Sequence, residues 1–241
     1  LSVVDKEMKN YKQKVNFGFV PADVLSTALA DWYEEGKTPN DQEIAKYIAA
    51  WVLDKIKDDM ELLSMVAEYG WNKIIELALA NTVNPVFKIP LSVITDQNIS
   101  DEILKFERGF PKILKHKIKT IFMSENNAER YVISYKEKYK DSPNFKDSDV
   151  LKSPLGKREI AILPSLDDDK IFATVEGNML NLIDVIDNPT KFTDVQVQDY
   201  KVKMFWECSK GYDYLINQVV CIADFVGSVR GLGNAEQMEK Y

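Results

Sequence analysis

The most regular feature of the chain is a spacing. From Asp41 to about Tyr69, Ile44, Ile48, Trp51, Val52, Ile56, Met60, Leu63 and Val66 recur every three or four residues. That predicts one apolar stripe along a helix of about eight turns. Asn40 or Asp41 can cap its start. Gly70 interrupts it, and a shorter helical piece continues through WNKIIELALAN. Upstream, residues 1–14 are polar, lysine-rich and nearly aperiodic, and read as an extended arm. KVNFGF (Lys14–Phe19) alternates as a short strand does. Val24, Leu25, Ala28, Leu29 and Trp32 share a helical face that Gly36 can close, and GKTPND then breaks the chain.

Downstream the periods are shorter. NTVNPVFKIP breaks the pattern with two prolines. Ser100 is placed to cap a helix through Phe106, and Pro111 to open a short one. TIFMS reads as an apolar strand. Ser124 then caps a helix over Glu125–Tyr139, with Ala128, Tyr131, Val132, Tyr135 and Tyr139 on one side. Lys140–Asp149 is a polar loop. Beyond residue 155, KREIAIL, KIFATV, NMLNLIDVI, DVQVQDYKVKMFWEC and YDYLINQVVCIADF are rich in β-branched and aromatic residues and predict strands. The glycine-bearing last fifteen residues read as a mobile tail. The class is α+β, with long helices first and an antiparallel or mixed sheet later.

Composition narrows the functional classes. The 241 residues are 45% hydrophobic and 29% charged, enough for one large domain or two interleaved ones. The net charge of −7 speaks against a dedicated nucleic-acid binder but leaves room for a local basic patch. Two cysteines, Cys208 and Cys221, are too few for a disulfide scaffold. No apolar run approaches the roughly 20 residues that span a bilayer, so no membrane role is expected. The chain opens on Leu1, which fits either a trimmed sequence or a leader removed by processing.

The acidic clusters are weak candidates for chemistry. Asp167, Asp168 and Asp169 are consecutive, and on an extended chain neighbours point to opposite faces. They read as a solvated turn rather than a metal site. Asp58, Asp59 and Glu61 could serve a two-metal nuclease, yet an exposed helix face also explains them. His116 is the only histidine, so no Ser-His-Asp or histidine-rich metal set can be assembled. GSVRGLG lacks the Lys-Ser/Thr of a phosphate loop. No catalytic, cofactor or metal residues are assigned, and a non-enzymatic protein whose work is assembly becomes the leading class. Aromatics in break-rich stretches, Phe17, Phe19, Trp32 and Tyr33, are the candidate subunit-interface residues.

The order of segments resembles a known family. ILKHKIKTIFMSENNAERYVISYKEKY looks like the stretch of tailed-phage major capsid proteins in which a strand ending in MS precedes a helix bearing RY. PLGKREIAILPSLDDDKIFATVEGNMLNLIDV is similar to their loop, FAT strand and following Asn. The helix ending in DKIKDDMELLS resembles the family's spine helix. This is the capsid fold named after a Hong Kong phage.

The resemblance implies an L-shaped subunit with a spine helix. Its N-terminal arm would be residues 1–14 and its extended loop 15–40. A peripheral domain would comprise 41–80 and 192–225, an axial domain 81–191, and a C-terminal tail 226–241. It implies hexamers and pentamers in an icosahedral shell around double-stranded DNA, with portal and scaffolding proteins as further partners. Packaged DNA would be contacted only weakly. The location would be the virion, assembled in the bacterial host cytoplasm. Two alternatives stand beside it: an encapsulin-like nanocompartment shell with the same fold, and an acidic-cluster metal-dependent nuclease.

Overall fold

The computed structural model describes residues 6–20, 41–140, 151–183, 194–198, 201–227 and 230–232. The helix expected over Val24–Trp32 and the loop at Lys140–Asp149 fall largely or wholly outside these residues. The chain divides into two compact units, one of Leu1–Glu7, Leu62–Leu180 and Tyr212–Tyr241, the other of Met8–Glu61 and Asn181–Gly211.

The larger unit is built on a five-stranded mixed sheet. Its strands are β2 (Phe87–Pro90), β3 (Thr120–Met123), β4 (Glu159–Ile162), β5 (Phe172–Thr174) and β9 (Val220–Asp224), in the order β2-β9-β5-β3-β4. β2 runs parallel to β9 and β3 parallel to β4, while β5 is antiparallel to both of its neighbours. Alternation along the strands sends side chains to two faces. Ile121, Met123, Ala173, Cys221 and Ala223 enter one core, shared with Ile99, Ile103 and Phe106 of α3 (Ile99–Gly109) and Ala128, Tyr131 and Tyr135 of α4 (Glu125–Tyr139). Phe172, Val220 and Ile222 enter the other, shared with Trp71, Ile75 and Ala78 of α2 (Trp71–Ala80). In that second core Trp71 lies against Tyr212, Tyr214 and Phe172, with ring centroids 5.6, 5.2 and 6.5 Å away.

The smaller unit centres on β8 (Lys201–Tyr214), which continues into the larger unit. β1 (Tyr11–Phe19) pairs with it antiparallel, Tyr11 opposite Lys210 and Phe19 opposite Val202. β7 (Asp194–Gln198) pairs with it as well, and β6 (Met179–Ile183) completes the sheet. α1 (Asp41–Val66) buries Ile48, Val52 and Ile56, one row at four-residue spacing. Met204 and Trp206 are buried on β8.

Several elements depart from the sequence reading. α1 stops at Val66, and the turn that follows brings Gly70 so close to the Met65 carbonyl oxygen that an added Cβ would lie 2.6 Å from it. The apolar stripe is narrower than its spacing suggests: Trp51 and Val66 lie outside the buried row and are 52% and 53% exposed. β1 begins at Tyr11, inside the segment read as an arm. NTVNPVFKIP contains strand β2, whose pairing with β9 overrides its prolines. Ser100 is not a cap. It is buried within α3, hydrogen-bonded to Ser134 at 2.9 Å, and Asn98 occupies the capping position. Pro111 opens isolated turns rather than a helix, its carbonyl accepting from the amides of Leu114 and Lys115. β8 runs unbroken past Gly211, where the Lys9 carbonyl oxygen lies 2.3 Å from where a Cβ would be. Part of the tail is also fixed: Gly231 exchanges two 3.0 Å hydrogen bonds with Lys88, and Leu232 is buried.

Both outer edges of the five-stranded sheet end in such a bridge. Lys88 of β2 pairs with Gly231, and Glu159 of β4 pairs with Lys152, each antiparallel.

Candidate functional site

The charged residues singled out by sequence do not converge. At Asp167 the backbone N–H donates to the Asn72 side chain at 3.0 Å, and the same Asn72 donates to the Ser165 carbonyl. Asp169 is exposed and pairs with Lys170 at 2.8 Å. Asp168 is different. It accepts from the Ser124 hydroxyl at 2.5 Å and from the Asn126 amide at 3.3 Å, while Asn127 donates to its carbonyl at 2.7 Å. Ser124 in turn accepts from the Asn127 N–H and caps α4. Within the run read as a solvated turn, Asp168 is therefore a clamp on the start of a helix, where a carboxylate also favours the helix dipole, while Asp167 and Asp169 are exposed as that reading expects.

Asp58, Asp59 and Glu61 lie exposed on α1, with Asp58 4.0 Å from Lys55. Among the described residues no group of three or more His, Cys, Asp or Glu side chains comes together to hold a metal ion. His116 is exposed on the turn after Pro111. Cys221 is buried in the sheet, and burial pushes its thiol pKa well up, which disfavours the reactive thiolate.

Sequence reasoning missed a buried ion pair. Arg158, inside KREIAIL, is 5% exposed and Glu107 of α3 is fully buried. The guanidinium donates to the Glu107 carboxylate and the Lys115 carbonyl, and from Nε to the Ile118 carbonyl at 3.1 Å. It also lies over the Phe110 ring, 5.0 Å from the centroid. One side chain thereby ties α3, the Pro111–Ile118 turns and β4 together. Arginine's planar fork suits this, whereas a lysine could not reach three acceptors in one plane. The surrounding KREI is too ordinary a string to have signalled it.

A second tie starts at the N-terminal segment. Lys6 Nζ reaches Asp213 at 2.6 Å, the Asn217 side chain at 2.9 Å and the Tyr214 carbonyl. Further along, Lys14 and Glu207 sit opposite each other across β1 and β8 and pair at 2.8 Å. Their hydrogen bond, then their mutual charge, hold the Glu207 carboxyl below and the Lys14 amine above their ordinary pKa values.

Phe17 and Phe19 occupy β1 positions opposite Met204 and Val202, while Trp32 and Tyr33 lie outside the described residues. Trp51, Leu62, Leu63 and Val66 of α1 are large apolar side chains in contact with water. Exposed large apolar side chains gathered into a patch mark contact surfaces more often than catalytic ones. A groove of about 570 Å³, lined by Lys119, Lys157, Glu159 and Glu176 with Phe122 and Met179, opens at the end of the sheet where β3 and β4 begin.

No protein-family model and no curated protein matches the chain, but solved structures do. A chain of the satellite phage P4 procapsid, which includes the size determination protein, superposes with a TM-score of 0.54 at 8% identity over 93% of this chain and 78% of that one. The capsid of an empty GTA particle gives 0.52 at 10% identity, over 90% and 72%. The holo-SrpI encapsulin complex of Synechococcus elongatus gives 0.47 at 11% identity, over 91% and 74%. At such identities the likeness is one of fold. The chain has the α+β fold of Hong Kong phage-type capsid subunits, as the segment order implied.

Proposed function

We propose that this chain is a shell subunit, the major capsid protein of a tailed bacteriophage or prophage. It works by assembly rather than catalysis, joining hexamers and pentamers into an icosahedral shell around double-stranded DNA. The observation that carries the reading is the capsid-subunit fold, shared over nine-tenths of the chain with the P4 procapsid and GTA capsid chains. Exposed Trp51, Leu62 and Val66 on α1 support it, since a subunit that spent its life alone would leave them in water.

In this reading residues 1–14 are the arm, 15–40 the extended loop, 41–80 with 192–225 the peripheral domain, 81–191 the axial domain and 226–241 the tail. Phe17, Phe19, Trp32 and Tyr33 are interface residues. Portal and scaffolding proteins are partners, contact with packaged DNA is weak, and assembly takes place in the host cytoplasm before the protein resides in the virion.

Electron microscopy of the purified or co-expressed protein tests this, with closed shells, rings or capsomers expected. A compact monomer under all assembly conditions overturns it. Shells filled with a protein cargo instead of nucleic acid would move the reading to a nanocompartment.

A further inference from the structure

The net charge of −7 conceals a concentrated positive surface. From Arg108 to Lys119 the chain carries five Lys or Arg residues and His116, with no acid between them. Lys112, Lys115, His116, Lys117 and Lys119 are exposed, and Lys157 joins Lys119 at the neighbouring groove. Lys119 pairs with Glu176 at 3.3 Å, but among the described residues Lys112, Lys117 and Lys157 have no acidic partner. Cations left together repel one another, and an external anionic surface relieves that repulsion.

The turn is also preset. Arg158 holds it from below through the Lys115 and Ile118 carbonyls, and Ile113 stands 51% exposed among the lysines. Nucleic-acid phosphates would satisfy the cations and leave Ile113 in water. A protein surface with acids beside apolar side chains satisfies both.

α1 carries such a surface. Asp54, Asp58 and Glu61, at spacings of four and three, line one side of the helix. Beside them stand Trp51 and Leu62, 52% and 49% exposed. Lys57 and Lys55 pair locally with Asp54 at 2.9 Å and Asp58 at 4.0 Å, contacts weak enough on an exposed helix to be exchanged.

We propose that the Pro111–Lys119 turn of one copy docks on the exposed face of α1 in a second copy. Lys112 and Lys117 meet Asp54 and Asp58, and Ile113 packs against Trp51 and Leu62. Two different surfaces meet, so the contact is head-to-tail and closes into a ring when the rotation allows. This rests on the shell-subunit reading.

The test is charge exchange, read by sedimentation velocity over protein and salt concentration. Lys112→Glu with Lys117→Glu, and separately Asp54→Lys with Asp58→Lys, should each raise the concentration for half-assembly about tenfold or more, since like charges then face each other. All four sites are exposed, so thermal unfolding of the variants should match wild type. The chain carrying all four changes should assemble again.

Unchanged assembly of either pair, or no recovery in the fourfold variant, overturns the contact and leaves the shell reading intact. Normal assembly of the lysine variant with lost binding to a labelled DNA duplex makes the turn a nucleic-acid surface instead and also overturns it. A wild-type chain that stays monomeric throughout takes down both.

Discussion

The guanidinium of Arg158 and the carboxylate of Glu107 form an ion pair inside the larger unit, with both side chains out of water. One Glu107 oxygen has no hydrogen-bond partner, so the carboxylate depends on the guanidinium at its other oxygen. Arg158→Ala should leave a buried, uncompensated carboxylate and cost about 3–5 kcal/mol. Glu107→Leu with Arg158→Met should cost much less, because both charges leave together. Urea unfolding of the two variants measures the difference. Equal losses would show that the guanidinium acts through packing rather than charge.

The three consecutive aspartates should separate by mutation. Asp168→Ala removes acceptors from Ser124 and Asn126 at the start of α4 and should cost about 1–2 kcal/mol. Asp169→Ala, at an exposed pair, should stay within about 0.5 kcal/mol. Thermal melts of the single variants distinguish a clamp at one position from a run of equivalent surface acids.

Alkaline pH should unfold the chain through two phenols. Burial holds the pKa of Tyr131 and of Tyr214 above the ordinary phenol value, with Tyr135 and Glu107 adding to the first and Asp213 to the second. The neutral phenol therefore favours the folded chain. That contribution is complete below about pH 10, where the unfolded phenol is also neutral, and is lost as pH rises above it. Tyr131→Phe and Tyr214→Phe should each flatten the alkaline fall in stability. At neutral pH they should differ. Tyr131→Phe gives up a 2.9 Å bond to the Lys152 carbonyl and should cost about 1 kcal/mol. Tyr214→Phe removes a buried hydroxyl without a partner and should be neutral or stabilising by up to about 1 kcal/mol.

Helix α1 carries two kinds of apolar position. Ile56→Asp places a carboxylate in the buried row and should cost about 3–5 kcal/mol or abolish soluble expression. Trp51→Ser, at a half-exposed position, should leave the melting temperature within a few degrees of wild type and weaken assembly. Circular dichroism and sedimentation on the same preparations test both. A large loss of stability at Trp51 would place it in the fold rather than at a surface.

The parts legible in the sequence were those where one local signal dominates. Eight apolar positions announced α1, and Ser124 announced the start of α4. The parts missed depend on partners distant in the chain. β2 exists because β9, more than a hundred residues later, supplies its hydrogen bonds. Ser100 looks like a cap until Ser134 arrives beside it. Arg158 and Glu107 look like solvent-facing charges because burial of a pair belongs to the assembled core and not to either residue. The stripe on α1 was overread for a related reason: periodicity records every apolar position, including Trp51 and Val66, which the fold leaves exposed.

The bridges at Gly231 and Lys152 bear on what happens when many copies crowd together. An uncovered strand offers its amides and carbonyls to any identical strand nearby, the route by which sheets grow into fibrils. Here each border strand of the five-stranded sheet has part of its open side occupied by its own chain. Copies pressed together at high local concentration are thus steered toward contacts between side chains, which can close on themselves, and away from backbone-to-backbone stacking, which cannot stop.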